Sequence, residues 1–184
     1  MNEDEELIKE LKVRPDRGAH LLVEKYARRL YATAFRLCQN ESDAEDLVQR
    51  TLAKVVEKAG DFAGGSSIFT WMCSIMANFF KMDLRRKGAN SLVFPEEMPE
   101  SAAESPTPAE ALEKADDARQ VRAAVAALPD GLRAVVVLFY FDRMGAAEIA
   151  KALGEPEGTI YYRLHEAKKA LREKLSKNSQ GFAA

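Results

Sequence analysis

The stretch GTIYYRLHEAKKALREKL, residues 158–175, concentrates side chains suited to nucleic acid. Arg163, Lys168, Lys169 and Arg172 supply cations for phosphate, Tyr161 and Tyr162 supply ring faces and hydroxyls for base edges, and His165 adds a further ring. Glu166 can accept from cytosine N4 in a groove, yet it repels backbone phosphate. These groups act together only if they project from one helix whose other face is buried. At about 100° per residue, Ile160, Leu164, Ala167, Leu171 and Leu175 fall in one narrow sector. Tyr162, His165, Glu166, Lys169 and Glu173 face away, with Tyr161, Lys168 and Arg172 on one flank. The competing reading is an ordinary solvated face, which any lysine-rich amphipathic helix presents.

The residues just upstream decide how such a helix is held. Residues 146–153, AAEIAKAL, have helical patterning, Gly154 breaks it, and Thr159 is placed to cap the next helix through its hydroxyl. Two short helices about a glycine turn, the second one basic, have the spacing of a helix-turn-helix. That combination is more specific than charge alone and favours DNA reading over a solvated face.

Charge is uneven along the 184 residues. The net charge is only −2, but residues 1–87 carry +1, residues 88–117 carry −7 and residues 118–184 carry +4. The acidic middle also holds Pro95, Pro99, Pro106 and Pro108, which interrupt helix, and it has too little apolar surface to fold. The expected organisation is therefore a helical domain over 1–87, an acidic flexible linker over 88–109 and a second helical domain over 110–184. In front of the linker, Leu22, Tyr26, Leu30, Ala34 and Leu37 form one stripe, and Ser42 with Glu45 forms a candidate capping box. A further helix starts after Gly64-Gly65-Ser66-Ser67 and ends at Arg85, Arg86 and Lys87, while residues 3–13 fit a short lead-in helix. Behind the linker, 110–128 reads as helix, and LRAVVVLFYFDRM as a second one, since a lone strand there would have nothing to pair with. The fold class is all-α.

Cys38 and Cys73 lie in apolar, helix-like surroundings with no secretory leader before them, which predicts a reduced, cytoplasmic protein. IFTWMCSIMANFF (68–80) is too short to span a bilayer. An enzyme is disfavoured: His20 and His165 have no metal-ligand spacing, and no glycine-rich phosphate loop or nucleophile motif is present. No cofactor, metal, small-molecule substrate or membrane insertion is expected.

Two separate blocks, in order, resemble the small bacterial sigma factors of the extracytoplasmic-function (ECF) group, over about residues 18–175. YARRLYATAFRLCQNESDAEDLVQRTL with FTWMCSIMANFFKMDLRRK resembles the family's second conserved region, and LPDGLRAVVVLFYF with AAEIAKALGEPEGTIYYRLHEAKKALREKL resembles its fourth. The resemblance implies an alternative sigma factor that binds core RNA polymerase and directs it to promoter DNA, with an anti-sigma factor as a further partner. It implies that Asp43, Asp46, Leu47, Gln49 and Arg50 contact the polymerase. It also implies that the loop from Phe62 through Ser66 and Ser67, with Thr70, Trp71, Ser74, Asn78 and Lys81, captures a flipped base of the downstream (minus-10) element. Arg85 and Arg86 would then hold phosphates, and the 159–172 surface would read the upstream (minus-35) element.

Residue chemistry offers alternatives at several of these positions. The acidic turn at Asp43 and Glu45 also complements a helix dipole, Leu47 suits a core, and Trp71 in an apolar helix is as readily core as stacking ring. Family recognition helices often carry Arg, Lys or Ser where this chain has Tyr161, Tyr162 and Glu166, so upstream reading is expected to be weaker or altered. Two rival functions remain open: a sigma-like module that titrates polymerase or a regulator, and a simple helix-turn-helix repressor.

Overall fold

A computed structural model describes residues 3–88 and 115–180, with side chains over 3–88 and 118–176. The predicted linker, apart from Gly88, and residues 110–114 of the next predicted helix lie outside the described residues. Those that are described form helices and connecting turns with no strand, which bears out the all-α reading.

Helix α1 (Glu3–Val13) has an acidic first turn, Glu3 to Glu6, that complements its dipole. Helix α2 (Pro15–Cys38) begins with proline, whose missing N–H costs nothing at a first turn. It ends at Gln39, which takes a left-handed conformation (φ 55°) and donates its N–H to the Phe35 carbonyl. This sharp reversal leaves Asn40 extended and able to cap helix α3 (Glu41–Glu57), where its side chain accepts from the Asp43 N–H at 3.0 Å. The expected Ser42–Glu45 capping box is therefore not used; the cap sits two residues earlier and both side chains are exposed. Helix α3 stops at Glu57, and a 3-10 turn at Ala59–Asp61 leads toward α4 (Ile68–Arg86), capped by Ser67.

Helices α5 (Ala115–Ala126) and α6 (Asp130–Val136) follow. The Val-Val-Val and Phe-Tyr-Phe run is helical as expected, but it widens into a π turn over Val137–Phe141, closed by the Asp142 N–H donating to the Val137 carbonyl at 3.1 Å. Helices α7 (Ala146–Leu153) and α8 (Glu157–Gln180) complete the chain. No described helix is long and apolar enough to cross a membrane.

The two halves share one core rather than standing apart. Leu22, Leu30, Leu37, Leu47, Met72 and Met76 in front are continuous with Val135, Leu138, Met144, Ile149 and Ile160 behind, all of them nearly or fully buried. Helix α4 lies between the N-terminal bundle and α7, while the π turn packs on α2. Arg133, buried, is a polar tie between the halves: its Nε donates to the Leu37 carbonyl at 3.0 Å and its Nη1 to the Leu128 carbonyl at 2.8 Å. Leu37 lies at the C-terminal end of α2, where a cation also meets the negative end of the helix dipole. Cys73 is buried and Cys38 half-buried, and burial pushes Cys38 up to about 11 and Cys73 higher still.

The backbones of α1 and α2 approach closely at Gly18. A β-carbon at Gly18 would lie 2.6 Å from the Leu11 Cα and N, a contact with backbone that no rotamer change relieves. Gly18→Ala is expected to push α1 off α2 and lower stability by about 1–3 kcal/mol, the usual cost of overpacking, measured by urea unfolding.

Candidate nucleic-acid interface

The upstream-reading candidate is the outer face of α8. Gly154 adopts φ 60°, which ends α7 and turns the chain, and Ile149, Ile160, Leu164 and Ala167 form the buried seam between α7 and α8. Opposite that seam, Tyr161, His165, Lys169 and Arg172 are exposed, and Tyr162, Glu166 and Lys168 are half-buried. The Tyr161 phenol is pushed up chiefly by its hydrogen bond to Glu157. Two of the expected contact residues lie elsewhere. Thr159 is buried inside α8, two positions past its start at Glu157, so it does not cap the helix. Arg163, 6% exposed, turns inward and pairs with Glu155 at 2.8 Å.

The downstream candidate is a cleft of about 650 Å³ between the 62–66 loop, α3 and α4. Phe62 packs on Trp71 with ring centroids 5.2 Å apart, and both are half-buried, so Trp71 serves the core while one side borders the cleft. Ser67 accepts from the Thr70 N–H at 3.0 Å, Ser74 donates to the Thr70 carbonyl at 3.1 Å, and Asn78 donates to the Ser74 carbonyl at 3.2 Å. Ser66, Thr70, Ser74 and Asn78 all line the cleft. Lys54 of α3 and Lys58 just past its end also border it, two cations that sequence reading did not assign. The row of expected contacts along α4 is interrupted, however. Ala77 is buried, and Lys81 bends away to pair with Glu155 at 3.3 Å and to donate to the Leu153 carbonyl. The cleft's remaining wall comes from α7, through Glu148, Lys151 and Ala152. Arg85 and Arg86 remain exposed.

The expected polymerase contacts cluster at the start of α3. Asp43 pairs with Lys87 at 2.6 Å, and Arg50 pairs with Asp46 at 2.7 Å and with Asp83. Gln49 is exposed, whereas Leu47 is fully buried and belongs to the core in this arrangement.

The seam between the halves contains residues that sequence reading missed. Asp142 is 5% exposed, accepts from the Thr33 hydroxyl at 2.8 Å and lies close enough to raise the Cys73 thiol further. Glu155 gathers Lys81 and Arg163. Helical periodicity gave no signal for either acid, because each sits in a turn.

Two family models match the chain: sigma-70 region 2 over residues 22–90, and sigma-70, region 4 over residues 118–171. The ECF RNA polymerase sigma factor SigE of Mycolicibacterium smegmatis is 33% identical over 163 residues, covering 88% of this chain, which spans 63% of that relative's length. SigL of Mycobacterium tuberculosis, also an ECF RNA polymerase sigma factor, is 33% identical over 154 residues, covering 82% of this chain and 85% of the relative. Among solved structures, CnrH in complex with the cytosolic domain of CnrY matches with a TM-score of 0.63 at 22% identity, covering 96% of this chain and 99% of that one. The sigma factor RpoE, in complex with the anti-sigma factor NepR from Bartonella quintana, matches with a TM-score of 0.60 at 25% identity, covering 85% and 96%.

Burial of Asp142 raises its carboxyl to about 6, against smaller lowering effects from Thr33, Arg36 and Arg29. Between its ordinary value of 3.8 and about 6 the folded chain holds the extra proton, so stability falls as pH rises through that window. Asp142→Asn removes the titration. Its unfolding free energy is expected to exceed wild type by up to about 3 kcal/mol above pH 7, with the advantage vanishing near pH 4, read from urea unfolding at each pH.

Proposed function

Because the chain belongs to the ECF family of RNA polymerase sigma factors, we propose that it is an alternative sigma factor: it binds core RNA polymerase in the cytoplasm and directs initiation at promoters read in two parts. It carries no chemistry of its own and acts by placing the polymerase. The observation that supports this best is the exposed face of α8, where tyrosines and cations stand opposite a buried apolar seam on a helix-turn-helix. In this reading Tyr161, Tyr162, His165, Glu166, Lys168, Lys169 and Arg172 meet the upstream duplex. The cleft bordered by Ser66, Thr70, Ser74 and Asn78 takes an extruded downstream base, with Arg85 and Arg86 on phosphate. Extruding a base costs unpairing energy, which hydrogen bonds to its edge and stacking recover in part. Asp43, Asp46, Gln49 and Arg50 are assigned to the polymerase, and an anti-sigma factor is the expected antagonist.

Run-off transcription with core polymerase and genomic fragments tests the reading: specific transcripts are expected from a subset of templates. Core binding without any specific transcript would instead identify a titrating module. Within the active complex, Lys168→Ala is expected to weaken DNA binding nearly uniformly across sequences. Tyr162→Ala and Glu166→Ala are expected to change which bases are preferred, by about 1–3 kcal/mol at the affected position, read by competition among base-substituted promoters.

A further inference from the structure

The loop that borders the downstream cleft is open at its tip and held at its ends. A β-carbon at Gly64 or Gly65 would meet no described atom within 4 Å, so packing does not fix the tip. Both ends rest on α1. The 3-10 turn at Ala59–Asp61, which leads into the loop, packs against α1. At the other end Asp4 of α1 reaches the first residue of α4: its Oδ2 accepts from the Ile68 N–H at 3.2 Å and its Oδ1 from the Tyr26 hydroxyl at 2.8 Å. Ser67 accepts from the Thr70 N–H, so a local and a distant side chain each take one of the donors that a helix start leaves unpaired. Tyr26 in turn stacks on Phe69 with ring centroids 6.2 Å apart, and the Arg29 guanidinium lies 3.5 Å from the centroid of the Phe69 ring. Burial opposes ionisation of Asp4, but hydrogen bonds from Tyr26 and Ile68 and the charge of Lys25, 3.5 Å away, outweigh it and hold the carboxyl below its ordinary value. Asp4 therefore meets the positive end of α4 as a carboxylate.

We propose that Asp4 is a positioning residue for downstream-base capture: from α1 it fixes the first turn of α4, and with it the places of Ser66 and Thr70 at the rim of the cleft. The proposal rests on the reading above that this cleft takes an extruded base. Asp4 does not border the cleft itself, so it acts only through the backbone at Ile68. Ser66 lies two residues before Ile68 and Thr70 two residues after it, so loosening Ile68 shifts both. A cleft that tells bases apart by hydrogen bonds to their edges needs its polar atoms held still, because a displacement of about 1 Å takes a donor out of bonding range.

Two readouts on the full chain test this. In amide hydrogen exchange, Asp4→Ala is expected to exchange about three- to tenfold faster than wild type over residues 64–70, the worth of one hydrogen bond, with α3 unchanged. The second readout uses the chain bound to core polymerase and fluorescent single-stranded oligonucleotides that carry the downstream element of a transcribed promoter, each base substituted in turn. Asp4→Ala is expected to lose about three- to tenfold of its discrimination at the captured base alone, with core binding and upstream duplex binding unchanged. Asp4→Asn, which keeps an acceptor for the Ile68 N–H, is expected to restore most of both. Wild-type exchange over 64–70 in Asp4→Ala overturns the proposal. So does a uniform loss of core, duplex and single-strand binding, which a merely structural role would produce. Should Asp4→Ala not fold, Tyr26→Phe removes the hydroxyl that orients Asp4 and keeps the ring on Phe69; it is expected to loosen the same segment, and wild-type exchange and discrimination in it overturn the proposal. A wild-type complex with no preference at any downstream base refutes base capture itself, whereas a selective wild type with an equally selective Asp4→Ala variant refutes only the role of Asp4.

Discussion

Helix α4 has to satisfy two cores at once. Phe69, Met72 and Met76 are buried, and so are Cys73, Ala77, Phe80 and Leu84, so its apolar surface runs around most of its circumference. A helix patterned this way cannot sit at the edge of a small bundle; it needs a partner on a second side. Here α7 supplies it, and the rest of the architecture follows. The π turn is brought onto α2, Arg133 reaches the end of α2, and the turn after α7 is carried to Lys81.

The contacts across this seam are unusually polar for a shared core. Thr33 with Asp142, Arg133 with the Leu37 carbonyl, and Lys81 with Glu155 all cross from one half to the other. Buried ionic groups of this kind add little net stability over apolar packing, because desolvation offsets most of the attraction, but each is costly to leave half-made. They define one way of closing and penalise sliding or partial separation. An apolar seam of equal area would tolerate many neighbouring registers.

Much of this was legible in sequence, for definite reasons. The α7 boundaries, 146–153, followed from a short periodic run and a glycine, and the lead-in helix, 3–13, also came out as read. The α8 seam of Ile160, Leu164 and Ala167 is buried because a narrow sector on a wheel has only one place to go. Caps were less readable: Ser42 and Thr159 have the right chemistry, but cap position depends on where the preceding turn reverses, which the left-handed Gln39 decides for α3. Burial across the seam was not readable at all. Ala77 is equally plausible exposed or covered, and a lysine or arginine beside a reading face gives no hint that an acid from another turn will claim it, as Glu155 claims Lys81 and Arg163.

The burial of Cys73 and the half-burial of Cys38 bear on the reactivity of the chain. Only the thiolate reacts readily with peroxide or a disulfide, and a thiol lifted to about 11, as Cys38 is, supplies little of it at neutral pH. Cys73 supplies less still. Within the folded chain both thiols are therefore held in the protonated form, the weaker nucleophile in disulfide exchange.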